Sequence, residues 1–175
     1  MDQMEAAIAA FDQRTEQIFA KLRGNPIADR LFYSASEAAN FSLLWHVLTW
    51  ATATSPRKRR NALRVSTALL VEAALVNGPI KAAFNRSRPI AEHEHPHQLR
   101  QPLTSSFPSG HASAAAVATV LLAETQKRSW PLRVIATIVA ASRVHVRIHH
   151  ASDVAVGVCV GIVIAKQIKR LWPIH

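Results

Sequence analysis

One cysteine in 175 residues, Cys159, excludes any disulfide within the chain. It lies in an apolar run, where a buried thiol acts as a small hydrophobe. The N-terminus lacks a basic stretch followed by an apolar core and a small-residue cleavage site, so no cleaved signal peptide is expected and any membrane insertion must use the body of the chain. Acidic residues are scarce: 11 against 21 lysines and arginines, for a formal charge of +10. Such an excess serves nucleic acid, an anionic membrane surface or an anionic substrate. Aromatic residues make up only 6%. They fall mainly in apolar segments and in an N-terminal stripe, not among exposed basic residues, which argues against nucleic-acid binding. This length fits one domain.

What is abundant is apolar sequence: 49% of residues are hydrophobic and 18% charged, with a mean hydropathy of +0.07. From Met4, the residues Ile8, Phe11, Ile18, Phe19 and Leu22 recur at helical spacing among Asp12, Arg14, Glu16 and Lys21, and Gly24-Asn25-Pro26 ends the helix. It either packs on its own protein or lies on a lipid surface. Between Glu37 and Arg57 there is no charged residue, a stretch long enough to cross a bilayer of ~30 Å. Further apolar segments run over 62–83, interrupted by Glu72, then 109–123, 130–142 and 153–165. A soluble helical bundle would also contain such segments, but the basic residues separate the two readings. Arg57, Lys58, Arg59, Arg60 and Arg64, then Lys127, Arg128 and Arg133, then Lys166, Lys169 and Arg170 all fall on one side of a five-span arrangement. Short basic loops mark the cytoplasmic side, which puts the N-terminus outside and the C-terminus inside. The expected fold is an all-α integral-membrane bundle of about five spans preceded by an amphipathic helix, with Glu72 turned inward to a hydrogen-bonding partner.

The opposite side of that arrangement collects the chemistry. Lys81 and Arg88-Pro89 close the second span, Pro108-Ser109-Gly110-His111 opens the third, and Ser142-Arg143, His149 and Asp153 lie between the fourth and fifth. Two histidines, one carboxylate and three fixed positive charges suit phosphoryl transfer, in which charge on the equatorial oxygens must be stabilised. Ser109 is a natural N-cap that would leave Gly110 and His111 N–H groups at the positive end of a helix. Arg88 and Arg143 offer planar forks and Lys81 a point charge. Asp153, four positions after His149, can accept from one ring nitrogen and leave the other as a nucleophilic lone pair. His111 remains as the acid for the departing alkoxide.

Read as Lys81-x6-Arg88-Pro89, Pro108-Ser109-Gly110-His111 and Ser142-Arg143-x5-His149-x3-Asp153, these blocks resemble the signature of the type 2 phosphatidic acid phosphatase (PAP2) superfamily, with no signature position missing. The resemblance implies that His149 attacks phosphorus, that Asp153 orients it, and that His111 is the general acid. It also implies that Lys81, Arg88, Ser109, Gly110 and Arg143 hold the phosphoryl group. No metal and no cofactor are implied. The chain then divides into an N-terminal amphipathic helix over 1–30 and a transmembrane phosphatase domain over 31–175, seated in a bacterial plasma membrane with its site on the non-cytoplasmic face. The implied substrates are lipid phosphates: polyprenyl phosphates or diphosphates, a prenyl-linked phosphoribose, phosphatidic acid or phosphatidylglycerol phosphate.

Two rival classes share part of this pattern. The same signature binds vanadate in haloperoxidases, which resemble large soluble enzymes. A non-catalytic protein that binds lipid phosphates would have no need of His111 as well as His149 with Asp153. His93, His95 and His97 with Glu92 and Glu94 resemble a metal-binding tract, but they read better as a polar loop over the pocket. His145, Arg147 and His150 flank the nucleophile without any motif requiring them.

Overall fold

A computed structural model describes residues 2–89 and 104–174, so the histidine tract at 92–97 lies outside the described residues. Every regular element among them is helical: α1 (Gln3–Ala20), α2 (Pro26–Ala38), α3 (Leu43–Ala51), α4 (Pro56–Leu75), α5 (Gly110–Leu122), α6 (Trp130–His145) and α7 (Ala151–Leu171). Local sequence sets the starts. The Asn25 side chain accepts from the N–H groups of Ile27 and Ala28 ahead of Pro26, and Ser55 accepts from Lys58 ahead of Pro56. These are caps that satisfy otherwise orphaned donors, followed by a proline that fits the first helical turn. α4 continues through a π-helical turn at Val76–Ile80. There Pro79 lacks an N–H and Gly78 leaves helical geometry, which loosens the helix just before Lys81.

α5 is the central helix, packed against α4, α6 and above all α7. Its closeness to α7 depends on two glycines one helical turn apart. A Cβ on Gly157 would stand 2.4 Å from the Ser109 carbonyl oxygen, and one on Gly161 2.2 Å from that of Ser113. This Gly-x-x-x-Gly spacing lets two backbones touch. Trp45, Val65, Leu69, Val117, Leu121 and Val139 fill the core around the seam.

Two helices, Pro56–Ile80 and Ala151–Leu171, are long and apolar enough to cross a membrane, and Gly110–Leu122 is a shorter apolar helix. The uninterrupted span expected between Glu37 and Arg57 is not observed. Phe41 and Ser42 adopt left-handed backbone (φ 54° and 59°), splitting the stretch into the end of α2, one 3-10 turn and the nine-residue α3. The basic cluster Arg57 to Arg64 likewise lies on the first turns of α4 and not in a loop. Arg64 is buried there, donating to Asn61 Oδ1, to the Trp172 carbonyl oxygen and to Glu124, while Lys169 reaches Glu124 at 2.9 Å. The start of α4, the end of α5 and the end of α7 therefore meet at one pole. Glu72 is buried as expected, beside Ser113 and near Lys81.

α1 packs on α6 and α7 with its polar side inward. Asp12 accepts from the Ser152 N–H and hydroxyl, and Glu16 pairs with Arg23 and Arg147. Met4, Ile8, Phe11 and Ile18 stay exposed on its outer side.

Candidate active site

At the pole opposite Arg64, the end of α4, the start of α5 and the α6–α7 connection converge. Ser109 caps α5 by accepting from the Ala112 N–H, and its own N–H donates to the Asp153 carbonyl oxygen at 3.0 Å. The Gly110 and His111 N–H groups then sit in the first turn, where a helix supplies them no partner and carries its positive end. Asn77 lies so near Gly110 that a Cβ there would be 3.3 Å from its Oδ1. His111 Nε2 is 3.2 Å from Asn40 Oδ1.

His149 is held by its own short connection. The N–H groups of Ile148 and His149 both donate to the Arg143 carbonyl oxygen, and Arg147 turns through left-handed backbone (φ 53°) to allow it. Val146 and Ile148 are buried against Tyr33. The imidazole, 3% exposed, turns Nδ1 toward Asp153 Oδ2 at 3.6 Å. That is close enough for charge to act but longer than a hydrogen bond. Burial, reinforced by the charges of Arg143 and Arg88, outweighs Asp153 and holds the ring's pKa down at about 4. His149 is thus neutral, with a lone pair, at ordinary pH.

The cations surround this ring. Arg143 is buried, donating to the Ser36 hydroxyl with its Nε unpartnered. Arg88 donates to the carbonyl oxygens of Ile148 (2.9 Å), Thr104 (2.9 Å) and Ser105 (3.2 Å), again with Nε unpartnered. Its fork therefore braces two loops. Buried Lys81 lies within range of the charges of Arg88, Arg143 and Asp153. All eight residues singled out in the sequence, Lys81, Arg88, Ser109, Gly110, His111, Arg143, His149 and Asp153, thus belong to one neighbourhood. A phosphoryl group there would meet a neutral imidazole, a second histidine, three cations and a helix N-terminus.

The PAP2 superfamily profile matches residues 61–173, a stretch that contains all eight of these residues. The chain belongs to the PAP2 superfamily. Among its relatives is the decaprenylphosphoryl-5-phosphoribose phosphatase of Mycolicibacterium smegmatis, 34% identical over 143 residues, covering 79% of this chain and 76% of that enzyme. The same-named enzyme of Mycobacterium tuberculosis is 34% identical over 109 residues, 61% of this chain, and the match spans 58% of that enzyme's length. In fold, this PAP2 chain is similar to a transmembrane PAP2-type phosphatidylglycerolphosphate phosphatase from Bacillus subtilis. That similarity has a TM-score of 0.70 at 23% identity and covers 98% of this chain and 87% of the other. It is also similar to Aquifex aeolicus LpxE, with a TM-score of 0.64 at 23% identity, covering 88% and 93%.

Several contacts of the PAP2 site escaped sequence reasoning. Arg86 donates to Asp153 Oδ1 at 2.5 Å and to Asp12 Oδ2 at 2.7 Å. Its only signal was a third cation inside the Lys81–Arg88 block. Ser36 and Asn40, which touch Arg143 and His111, carried none. Of the flanking residues, His145 is bound to Asp29 at 2.8 Å and stacked on Phe32, and the Arg147 side chain pairs with Glu16. The His150 N–H donates to Asp153 Oδ2 at 2.9 Å. Among the described residues no group of histidine, cysteine and acidic side chains could hold a metal ion.

Proposed function

We propose that this PAP2 protein is a metal-independent lipid phosphatase working through a phosphohistidine. The observation that carries the reading is His149: a buried, neutral imidazole whose Nδ1 faces a carboxylate amid three cations. Nε2 attacks phosphorus, and as the ring gains charge Asp153 stabilises it. Lys81, Arg88, Arg143 and the first turn of α5 with Ser109 and Gly110 neutralise the equatorial oxygens. His111 protonates the departing alkoxide, then takes a proton from the water that cleaves the phosphorus–nitrogen bond.

Membrane insertion is supported by apolar side chains on the outside of the bundle. Leu63, Leu70, Val71 and Leu75 on α4, Val134 on α6 and Val163 on α7 are exposed, an arrangement suited to lipid and poorly suited to water. α3 with its flanks, α4, α5, α6 and α7 then make five crossings, with the outward stripe of α1 lying on the lipid. The Arg64 pole faces the cytoplasm and the His149 pole faces away from it. α5 has only 13 residues, about 20 Å of helix against a hydrocarbon layer of ~30 Å, so the site is recessed to where a lipid phosphate sits.

Of the candidate substrates, a prenyl-linked phosphoribose monoester is favoured by the 34%-identical relatives named for it. The test is phosphate release by purified protein in detergent from that lipid, phosphatidylglycerol phosphate, phosphatidic acid and polyprenyl mono- and diphosphates. Turnover should be fastest on the phosphoribose lipid, blocked by orthovanadate, absent in His149→Ala and unchanged by EDTA. Binding without release from any of them, or activity that EDTA removes and added zinc or magnesium restores, would overturn the reading. Bromide oxidation with vanadate would support a haloperoxidase-like chemistry instead.

A further inference from the structure

Asp153 has a second side to its environment, one that the phosphoryl chemistry does not use. Its carboxylate is fully buried. Oδ2 accepts from the His150 N–H and faces His149, while Oδ1 accepts from Arg86. Arg86 is itself fixed at several points: Nη1 also reaches the Ser152 hydroxyl at 2.7 Å, its N–H donates to the Ser105 hydroxyl, and its carbonyl oxygen accepts from Ser106. Nη2 ends on Asp12 of α1, and Asp12 also accepts from the Ser152 N–H at 2.8 Å and from its hydroxyl at 2.7 Å. The two polar groups of Ser152, the residue before Asp153, are thus held by a helix some 140 positions earlier in the chain.

We infer that Asp12 and Arg86 are positioning residues of the reaction, a clamp from α1 that fixes the Asp153 carboxylate behind His149. The inference rests on the reading of His149 as nucleophile. Charges alternate along the series: Asp12 negative, Arg86 positive, Asp153 negative, and the imidazole positive once phosphorylated. Each charge is stabilised by the next, and the planar fork of Arg86 bridges two carboxylates in a geometry that lysine cannot copy. Without Arg86, the buried carboxylate loses its charged partner on the side away from His149 and keeps the His150 N–H on Oδ2, a single bond that fixes its rotation less firmly. Without Asp12, Arg86 and Ser152 lose their anchor. Neither residue touches the phosphoryl group, so their loss lowers turnover and leaves substrate affinity in place. α1, which on sequence is an amphipathic helix that either packs on the protein or lies on lipid, thereby becomes part of the catalytic unit.

The test is a double-mutant cycle on the purified full chain in detergent, with p-nitrophenyl phosphate and a lipid phosphate as substrates. Arg86→Ala should lower kcat about 10- to 100-fold with KM nearly unchanged, by analogy with the outer partners that orient metal-bound histidines. Arg86→Lys should recover part of the loss, and Asp12→Asn should lower kcat by a smaller factor. In an Asp153→Asn background the Arg86 substitution should cost less than ~3-fold more, because a residue acting through Asp153 has nothing left to position. An equal cost of Arg86→Ala in both backgrounds would overturn the inference, as would a wild-type kcat in a folded Arg86→Ala or Arg86→Lys variant. Should Arg86→Ala fail to fold, Arg86→Lys and Asp12→Asn carry the same cycle. If His149→Ala and Asp153→Asn themselves leave activity intact, the phosphohistidine reading has failed and not merely the clamp.

Discussion

The Nδ1 atom of His149 stands 3.6 Å from Oδ2 of Asp153, a carboxylate that other groups also hold. Arg86 binds one oxygen and the His150 N–H the other. The pair is thus in charge contact, at a separation longer than an ordinary hydrogen bond. A positive charge appearing on the ring during attack would draw the contact shorter at the moment it is needed, so that the interaction favours the transition state over the resting state.

The pH dependence of the first chemical step follows from the same burial. With its pKa lowered to about 4, His149 keeps the reactive neutral form above that pH and loses it as pH falls through it. The acid limb of kcat/KM, which reports the free enzyme, should lie near pH 4 once the substrate's own ionisation near pH ~6 is corrected for. The profile measured with p-nitrophenyl phosphate checks this. A corrected limb centred at 6.5 or above would mean that the nucleophile is not held as described.

Packing of α7 on α5 should tolerate no side chain at the seam. Gly161→Ala drives a methyl group into the Ser113 carbonyl oxygen, an overpacking that should cost about 1–3 kcal/mol. Thermal unfolding in detergent should show a lowered midpoint, whereas Val163→Ala on the exposed outer face should change it little. Equal midpoints for both variants would contradict the close approach of the two backbones.

Much of this architecture was legible in the sequence where chemistry and local structure coincide. Ser109 reads as a cap and is one, and the three blocks from Lys81 to Asp153 meet as their order along alternating helices requires. The break after α2 was not legible because no glycine or proline marks it: Phe41 and Ser42 take left-handed backbone that tertiary packing must enforce. Arg64 looked like a loop cation, yet Glu124 and the Trp172 carbonyl oxygen, 60 and 108 positions away, make its burial affordable. Asp12 looked like a solvated residue between apolar neighbours. Its partners Arg86 and Ser152 are brought to it only by the finished fold.

Orientation across the membrane is open to chemical labelling. In a Cys159→Ala background, Asn85→Cys at the His149 pole should react with an impermeant thiol reagent in intact cells, and Arg128→Cys at the Arg64 pole should not; both positions are exposed. The reverse pattern would turn the site toward the cytoplasm and overturn the topology.

Covalent capture addresses the phosphohistidine itself. His111→Ala removes the proposed proton donor, which should slow esters with poor alkoxide leaving groups by roughly 10²–10⁴. p-Nitrophenyl phosphate leaves as a stabilised phenolate and should still phosphorylate the enzyme. Water activation is weakened in the same variant, so the intermediate should build up. Rapid quench of His111→Ala with ³²P-labelled p-nitrophenyl phosphate should trap acid-labile, base-stable label on His149, absent from the His111→Ala/His149→Ala double variant. A folded, vanadate-binding His111→Ala protein that hydrolyses the substrate without ever carrying label on His149 would contradict the two-step mechanism and require direct attack by water.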